Sequence, residues 1–306
     1  MALKHIEHPE DTVFTGDLSV LDWFTTDGKV SLKIDGCPAI IWGTDPANGK
    51  FFVGTKSVFN KVKKMICHSH REIDILYADK PDLGRKLKLC FDNLTRTDKI
   101  YQGDLLGFGG DDYYQPNTIG YLFPYKIYHN IIIAPHTEHR LYGDTLLETE
   151  PMPLNHILES DFEKVLFVQC DAKGKFKDYV YDRCQFAKQI STMVEFVDKS
   201  KALKLMKTIN HCIRIGTQMS DSVINAISHS HNVDPNLMRL WMLVKSIKTD
   251  ALKRCEHDGW WTTYDDDGEI DGEGYVMHNQ YGMFKLVDRD KFSRLNFLTN
   301  NAWVSL

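Results

Sequence analysis

Up to about residue 180, short apolar runs alternate with turn residues, which is the pattern of strands and not of long helices. The runs "PAIIWG" and "FFVGTKS" flank "TDPANGK" at 44 to 50, and its Asn-Gly pair predicts a hairpin. Further strands are expected in 120 to 129, 131 to 137 and 164 to 170, with short helices over 17 to 25 and 58 to 78. From 183 to 257 the period lengthens. Phe186, Ile190, Met193, Val194 and Val197 recur at helical spacing, and the run from Pro235 to Cys255 does the same. Strand-and-turn texture returns at "GWWTTYDDDGEIDGEGYVMH", so the C-terminal residues are expected to complete the sheet of the first domain. The chain thus reads as an α+β domain over 1–182 and 258–306 with an all-helical module inserted at 183–257, without repeats or low-complexity linkers.

Composition narrows the class of protein. A chain of 306 residues, 42% hydrophobic and 11% aromatic, can bury a full core. No apolar run approaches the roughly 18 residues that cross a bilayer, and "MALKHIEHPED" lacks the marks of a leader, so a cytoplasmic protein without a membrane partner is expected. The seven cysteines have no CxxC spacing, which suits free thiols in a reducing compartment. A formal net charge of −5 excludes a globally basic protein and leaves room for basic patches.

The candidate chemistry begins at "KVSLKIDGCPAIIWG", residues 29 to 43, where Lys33 and Asp35 lie two places apart in a strand-like run. A lysine is a nucleophile only when neutral, and rigid placement beside a tight Asp-Gly corner suits that need. Alone, Lys-x-Asp-Gly is a weak signal. Three further segments follow in order: "YQGDLLG" with Asp104, "GEGYV" with Glu273, and "FKLV" with Lys285. This ordered set resembles the lysyl-adenylate nucleotidyltransferases, the ATP-dependent DNA and RNA ligases and their mRNA-capping relatives.

The resemblance covers roughly 25 to 140 and 258 to 292 and implies an adenylation-domain fold of antiparallel sheets around an ATP cleft. By position it makes Lys33 the residue that attacks the α-phosphate of ATP and carries AMP. Leu32, Asp35 and Gly36 belong to the same nucleotide-binding motif. Lys56 stands where the family has a basic residue, usually Arg, near the ribose or phosphates. Asp104 replaces the usual Glu in ribose or metal contacts, and Phe123 or Tyr125 matches the aromatic residue over the base. Glu273 matches the glutamate that binds Mg²⁺, or Mn²⁺ in its place, and Lys285 the lysine at the α-phosphate.

Two departures shape the expected activity. The last motif normally reads Lys-x-Lys, whereas "KLVDRDK" has Val287 at the second position, so one charge is absent or comes from Arg289 or Lys291. Only 21 residues follow Lys285, too few for the OB-fold found at that point in DNA ligases and capping enzymes. Minimal phage RNA ligases without an OB-fold are therefore the nearest resemblance. The expected function is ATP-dependent joining of a 5′-phosphate to a 3′-hydroxyl, on RNA ends, with Lys201, Lys204 and Lys207 of the helical module holding the nucleic acid. A DNA nick ligase without an OB-fold and a degenerate nucleotide-binding protein are the alternatives. A monomer is assumed.

Other motifs have plainer readings. Cys67, His68 and His70 in "CHSHRE" are better taken as polar helix residues than as a zinc site. The acidic run 265 to 274 lacks the spacing of a calcium loop. Trp260 and Trp261 fit core packing better than base stacking. Two basic clusters, Lys61, Lys63, Lys64 and Arg85, Lys86, Lys88, suit either solvated faces or a phosphate path.

Overall fold

A computed structural model describes residues 6 to 292. In chain order its first elements are α1 (Ser19–Phe24), β1 (Lys29–Leu32), β2 (Ala39–Thr44), β3 (Phe51–Gly54), α2 (His70–Leu76), α3 (Pro81–Asn93) and β4 (Ile100–Gly107). Then come β5 (Tyr113–Tyr114), β6 (Gly120–Leu122), β7 (Ile131–Leu141), β8 (Thr149–Pro153), β9 (Val165–Phe167) and β10 (Asp171–Gly174). The remainder is α4 (Lys177–Ser191), α5 (Lys199–Arg214), α6 (Asp221–His231), α7 (Pro235–Leu252), β11 (Cys255–His257), β12 (Thr262–Asp265), β13 (Gly268–Ile270), β14 (Gly274–Asn279) and β15 (Gly282–Val287). The protein is a mixed α+β chain with several antiparallel sheets. Among the described residues no helix is long and apolar enough to cross a membrane.

The chain divides into two compact units, one built from Ile34–Cys170 and Gly259–Gly272, the other from Ile6–Lys33, Asp171–Asp258 and Glu273 onward. In the first unit one sheet runs β3-β2-β4-β7-β8 with β9 beside β7, and a second runs β13-β12-β6-β5. The expected hairpin is β2 and β3, paired antiparallel from Ile41↔Gly54 to Thr44↔Phe51. Gly49 takes φ 70° at its turn, where a side chain would be strained. Ile40, Trp42, Val53, Ile131, Ile133 and Phe167 gather in one apolar cluster, while the alternate residues Ile41 and Phe52 pack into another with Val58 and Ile100, so the sheet is apolar on both faces. Ile73 of α2 and Leu87 and Cys90 of α3 cover the face of the first cluster. The helix expected over 58 to 78 is confined to α2, preceded by a 3₁₀ turn at Lys56–Phe59, while α3 begins on Pro81, a residue suited to a first helical turn.

The second unit contains the sheet β11-β10-β1-β14-β15 and the helices α1, α4, α5, α6 and α7. Its core gathers Val180 and Cys184 of α4, Leu205 and Ile209 of α5, and Leu240, Trp241 and Val244 of α7. Phe14 stacks on Trp241, with ring centroids 6.2 Å apart. The helical period read across 186 to 197 does not correspond to one helix. Helix α4 stops at Ser191, and Asp198 caps α5 by accepting the Lys201 N–H at 2.9 Å. Phe186 and Met193 are accordingly exposed instead of buried. The helices of 183–257 share a compact unit with β1, β10, β14 and β15, and the C-terminal strands divide: β12 and β13 join the first unit, β14 and β15 the second.

Candidate active site

In the second unit Lys33 extends β1 by one residue, its N–H donating to the Gly274 carbonyl at 2.8 Å. Its Nζ forms an ion pair with Glu273, 240 residues away in sequence. Both side chains are largely buried. The register Ser31↔Val276↔Lys285 puts Lys285 in the cross-strand row of Ser31. Residues two apart on a strand share a face, so Lys33 and Lys285 lie on the same side of the sheet. Strand spacing and rise separate their α-carbons by ~12 Å, within the combined reach of two lysine side chains on one group. Gly274, at φ 126°, makes this arrangement possible, since a Cβ there would strike the Leu286 carbonyl.

An ammonium against a carboxylate is the charged, non-nucleophilic form of a lysine. In this structure Glu273 thus holds the Lys33 ammonium in place. Leu32 points the other way and is buried, leaving only its main chain for a ligand. The position of the family's second lysine, Val287, is 3% exposed. Arg289 does not replace that cation. It is 2% exposed, and its guanidinium donates to Asp11 at 2.8 Å, Glu10 at 3.2 Å and Asn210 at 2.8 Å. Lys248 completes this cluster, donating to Glu10 at 2.7 Å. Burial pushes the Glu10 carboxyl up, but Lys248 and Arg289 outweigh it and hold the group down at about 2. Lys291, the other substitute, is exposed at the end of the described residues.

In the first unit the Asp35 carboxylate is held by structure. It accepts two bonds from the Asn117 amide, at 3.2 and 3.1 Å, and one from the Thr118 N–H at 3.3 Å. The Asp35 N–H donates to Tyr121 Oη at 2.7 Å. Gly36 presses on β4, where a Cβ would lie 2.7 Å from the Asp104 Cβ and 2.9 Å from the Leu105 carbonyl. Asp104 itself faces His136, Oδ2 to Nε2 3.7 Å. His136 occupies a β-bulge, because Gln102 pairs with Thr137 and Gly103 with Pro135. Lys56 is exposed at the start of its 3₁₀ turn. Phe123 is 1% exposed and packed among Tyr114, Trp260 and Trp261, so its faces are taken. Tyr125 is 62% exposed and stacks on Trp260 at 5.1 Å.

The three lysines assigned to nucleic acid sit on α5 of the second unit. Lys204 and Lys207 are exposed, whereas Lys201 turns to donate to the Asn232 carbonyl at 2.7 Å. Among the described residues, no three His, Cys, Asp or Glu side chains are arranged to hold a metal ion. His68 lies between Asp45 and Glu72, at 2.9 and 3.2 Å, and Cys67 is in the core. Sequence reasoning missed His136, Asn117 and Tyr121. The signal for the first was Pro135 inside a strand run, which marks a bulge, and for the second the turn residues "QPNT".

These features define a mixed α+β protein whose second unit presents a lysine–glutamate pair and a second lysine on one sheet face. The chain belongs to a family of unknown function (DUF6267), whose model matches residues 3–223 and 187–301. No curated protein and no solved structure matches the chain.

Proposed function

We propose that this chain is an ATP-dependent polynucleotide ligase of the lysyl-adenylate class, acting on RNA ends, with a nucleotidyltransferase fold. The observation that supports it most is the meeting of Lys33 and Glu273 with Lys285 on the same face. Lys33 meets, from 240 residues away, a hairpin that carries both Glu273 and Lys285, which chance resemblance does not require. In this reading Lys33 Nζ, freed of its proton to solvent, forms a bond to the α-phosphorus of ATP. The bond from that phosphorus to the bridging oxygen breaks, and pyrophosphate leaves with the electron pair. Lys285 offsets charge at the α-phosphate as it develops. AMP then passes to a 5′-phosphate, and a 3′-hydroxyl displaces it.

A divalent ion fits the donor set. Mg²⁺ takes one or two carboxylates and completes its shell with phosphates and water, so isolated carboxylates suit it where a dedicated cage is absent among the described residues. Glu273 would be its ligand beside the nucleophile. When bound, the ion would supply positive charge that draws Glu273 from Lys33 and offsets the phosphates.

A second reading, a nucleotide-binding protein without transfer activity, is favoured by one observation: buried Val287 and engaged Arg289 leave the second-lysine position without a cation. Incubation with ATP and Mg²⁺ followed by intact mass separates the two. A gain of one AMP, absent without ATP, is the expected result; an unchanged mass with bound ATP gives the protein to the second reading. Sealing of a 5′-phosphorylated RNA strand but not of a nicked DNA duplex is expected; sealing of the nicked DNA alone makes the protein a DNA nick ligase.

A further inference from the structure

Charge is distributed unevenly along the helical region. Residues 199 to 249 hold six lysines and two arginines against two aspartates and no glutamate, a formal +6 in a chain of formal −5. Helix α5 accounts for most of it, with Lys199, Lys201, Lys204, Lys207 and Arg214 and no acidic residue. Its buried side is Ala202, Leu205, Ile209 and Ile213. At about 100° per residue, Lys204, Lys207, His211 and Arg214 fall on the opposite side, and all four are exposed. They form one row ~15 Å long at 1.5 Å rise per residue.

This row differs from many of the basic residues of its unit, although Lys199, Arg239 and Lys253 are also exposed. Lys29, Lys175, Lys177, Lys188 and Lys245 each pair with a carboxylate, on Asp171, Glu256, Asp27, Asp22 and Asp290. Among the described residues none of the four on the outer face of α5 is in an ion pair, and no acidic side chain shares the helix. Positive charge is thus left uncompensated along one straight, rigid row. Apart from half-exposed Leu203, the apolar side of α5 turns to the core, so the helix has no broad outward apolar face to enter a lipid surface. No aromatic residue lies on the row to stack an unpaired base.

We propose that the outer face of α5 binds the phosphate backbone of a polynucleotide through Lys204, Lys207, His211 and Arg214 and does not read its bases. One strand of a duplex presents a phosphate about every 3.4 Å of axis, so a row of this length meets about four. The row locates where the substrate of the proposed ligase is held, and for the substrate's identity it rests on that reading. Lys201, engaged with Asn232, lies outside the row.

The test uses the full chain and a fluorescent 5′-phosphorylated RNA strand, with binding followed by anisotropy at low and at physiological salt. The triple variant Lys204→Gln, Lys207→Gln, Arg214→Gln removes three charges from the row. The variant Lys61→Gln, Lys63→Gln, Lys64→Gln removes the same charge from exposed lysines of the first unit. The α5 triple should weaken binding at least 10-fold at low salt, and the gap should narrow as salt rises, because the wild type has more counterions to release. The comparison triple should change binding less than 2-fold. Lys204→Arg with Lys207→Arg should bind like wild type, which separates lost charge from a misfolded helix. Equal losses in both triples, no loss in the α5 triple, or tighter binding to phosphatidylserine vesicles than to RNA at equal phosphate would each overturn the proposal. If RNA binding depends on α5 but the wild type takes up no AMP from ATP, the ligase reading fails alone and this one stands.

Discussion

The two units treat their polar groups in opposite ways. In the first, an apolar cluster built on Ile40, Trp42, Ile131 and Phe167 fills the space under the sheet. Its candidate acids are engaged at the periphery, Asp35 by Asn117 and Thr118 and Asp104 beside His136. In the second, Glu10, Lys248 and Arg289 are taken into the core, while Lys33, Glu273 and Lys285 gather on one sheet face. A buried ion triad is poor evidence of stability, since its desolvation offsets much of its attraction, but it fixes one arrangement of the segments it joins. Here it ties the residues before α1 to α7 and to the helical residues that follow β15, the strand of Lys285. The first unit thus anchors loops by packing, and the second anchors its candidate nucleophile's sheet with charge.

The largest effect that sharpens this contrast is chemical. Lys33→Ala should remain folded, with some loss of stability from the unpaired Glu273, and lose AMP uptake by at least ~10⁴-fold, ~5.5 kcal/mol of transition-state stabilisation. An AMP adduct on the variant at the wild-type rate would remove Lys33 from the mechanism. Next comes Arg289→Met, which leaves Glu10 and Asp11 with one fewer partner in the core. It should cost about 3–5 kcal/mol by denaturant unfolding. A loss below ~1 kcal/mol would show that the triad does not anchor the second unit. Glu273→Gln and Lys285→Met should each slow single-turnover adenylylation by about 10²-fold, ~2.7 kcal/mol, with stability little changed. Near-wild-type rates would confine those residues to structure.

What the sequence disclosed follows the same division. The β2–β3 hairpin was legible because an Asn-Gly turn between two short apolar runs is a local signal. The meeting of Lys33 with Glu273 was legible only through motif order, since nothing local relates residues 240 apart. The break between α4 and α5 was not read, because Val194 and Val197 continue the apolar period through a segment that Asp198 ends by capping the next helix. Of the two aromatics matched to the base, Phe123 and Tyr125, three aromatic neighbours bury Phe123, a consequence of pairing between β6 and β12 that no window of sequence contains, while Tyr125 stays exposed. Arg289 was offered as a substitute cation because it lies near Val287 in sequence. Its partners, Glu10 and Asp11, come from the other end of the chain.

A last effect concerns acid, and it separates the units by where their loss of stability ends. In the second unit burial drives the His8 imidazole down to about 2, Glu10 opposing and Arg289, Lys248 and Lys285 adding to the fall. In the first, burial lowers His139 to about 4, with His136 adding to it. Both histidines stay neutral in the folded state while the unfolded chain takes up protons below about 6.5, so each contributes stability above that pH that is lost as pH falls. For His139 the loss ends near pH 4. For His8 it continues toward 2, and there Glu10 adds to it, since its folded carboxyl titrates at about 2 and its unfolded one near 4.5. Each group contributes about 1.4 kcal/mol per pH unit within its window. Both units should therefore weaken from pH 6.5 to 4, half-buried His129 adding to the loss in the first and Asp11, whose carboxyl burial raises, offsetting part of it in the second; below 4 the second should weaken further and open first. Hydrogen exchange followed by peptide at pH 5 and pH 3 reads the two units separately. Protection lost first from β2, β4 and β7 instead of α5 and α7 would reverse the order and show that the buried charges of the second unit do not govern its response to acid.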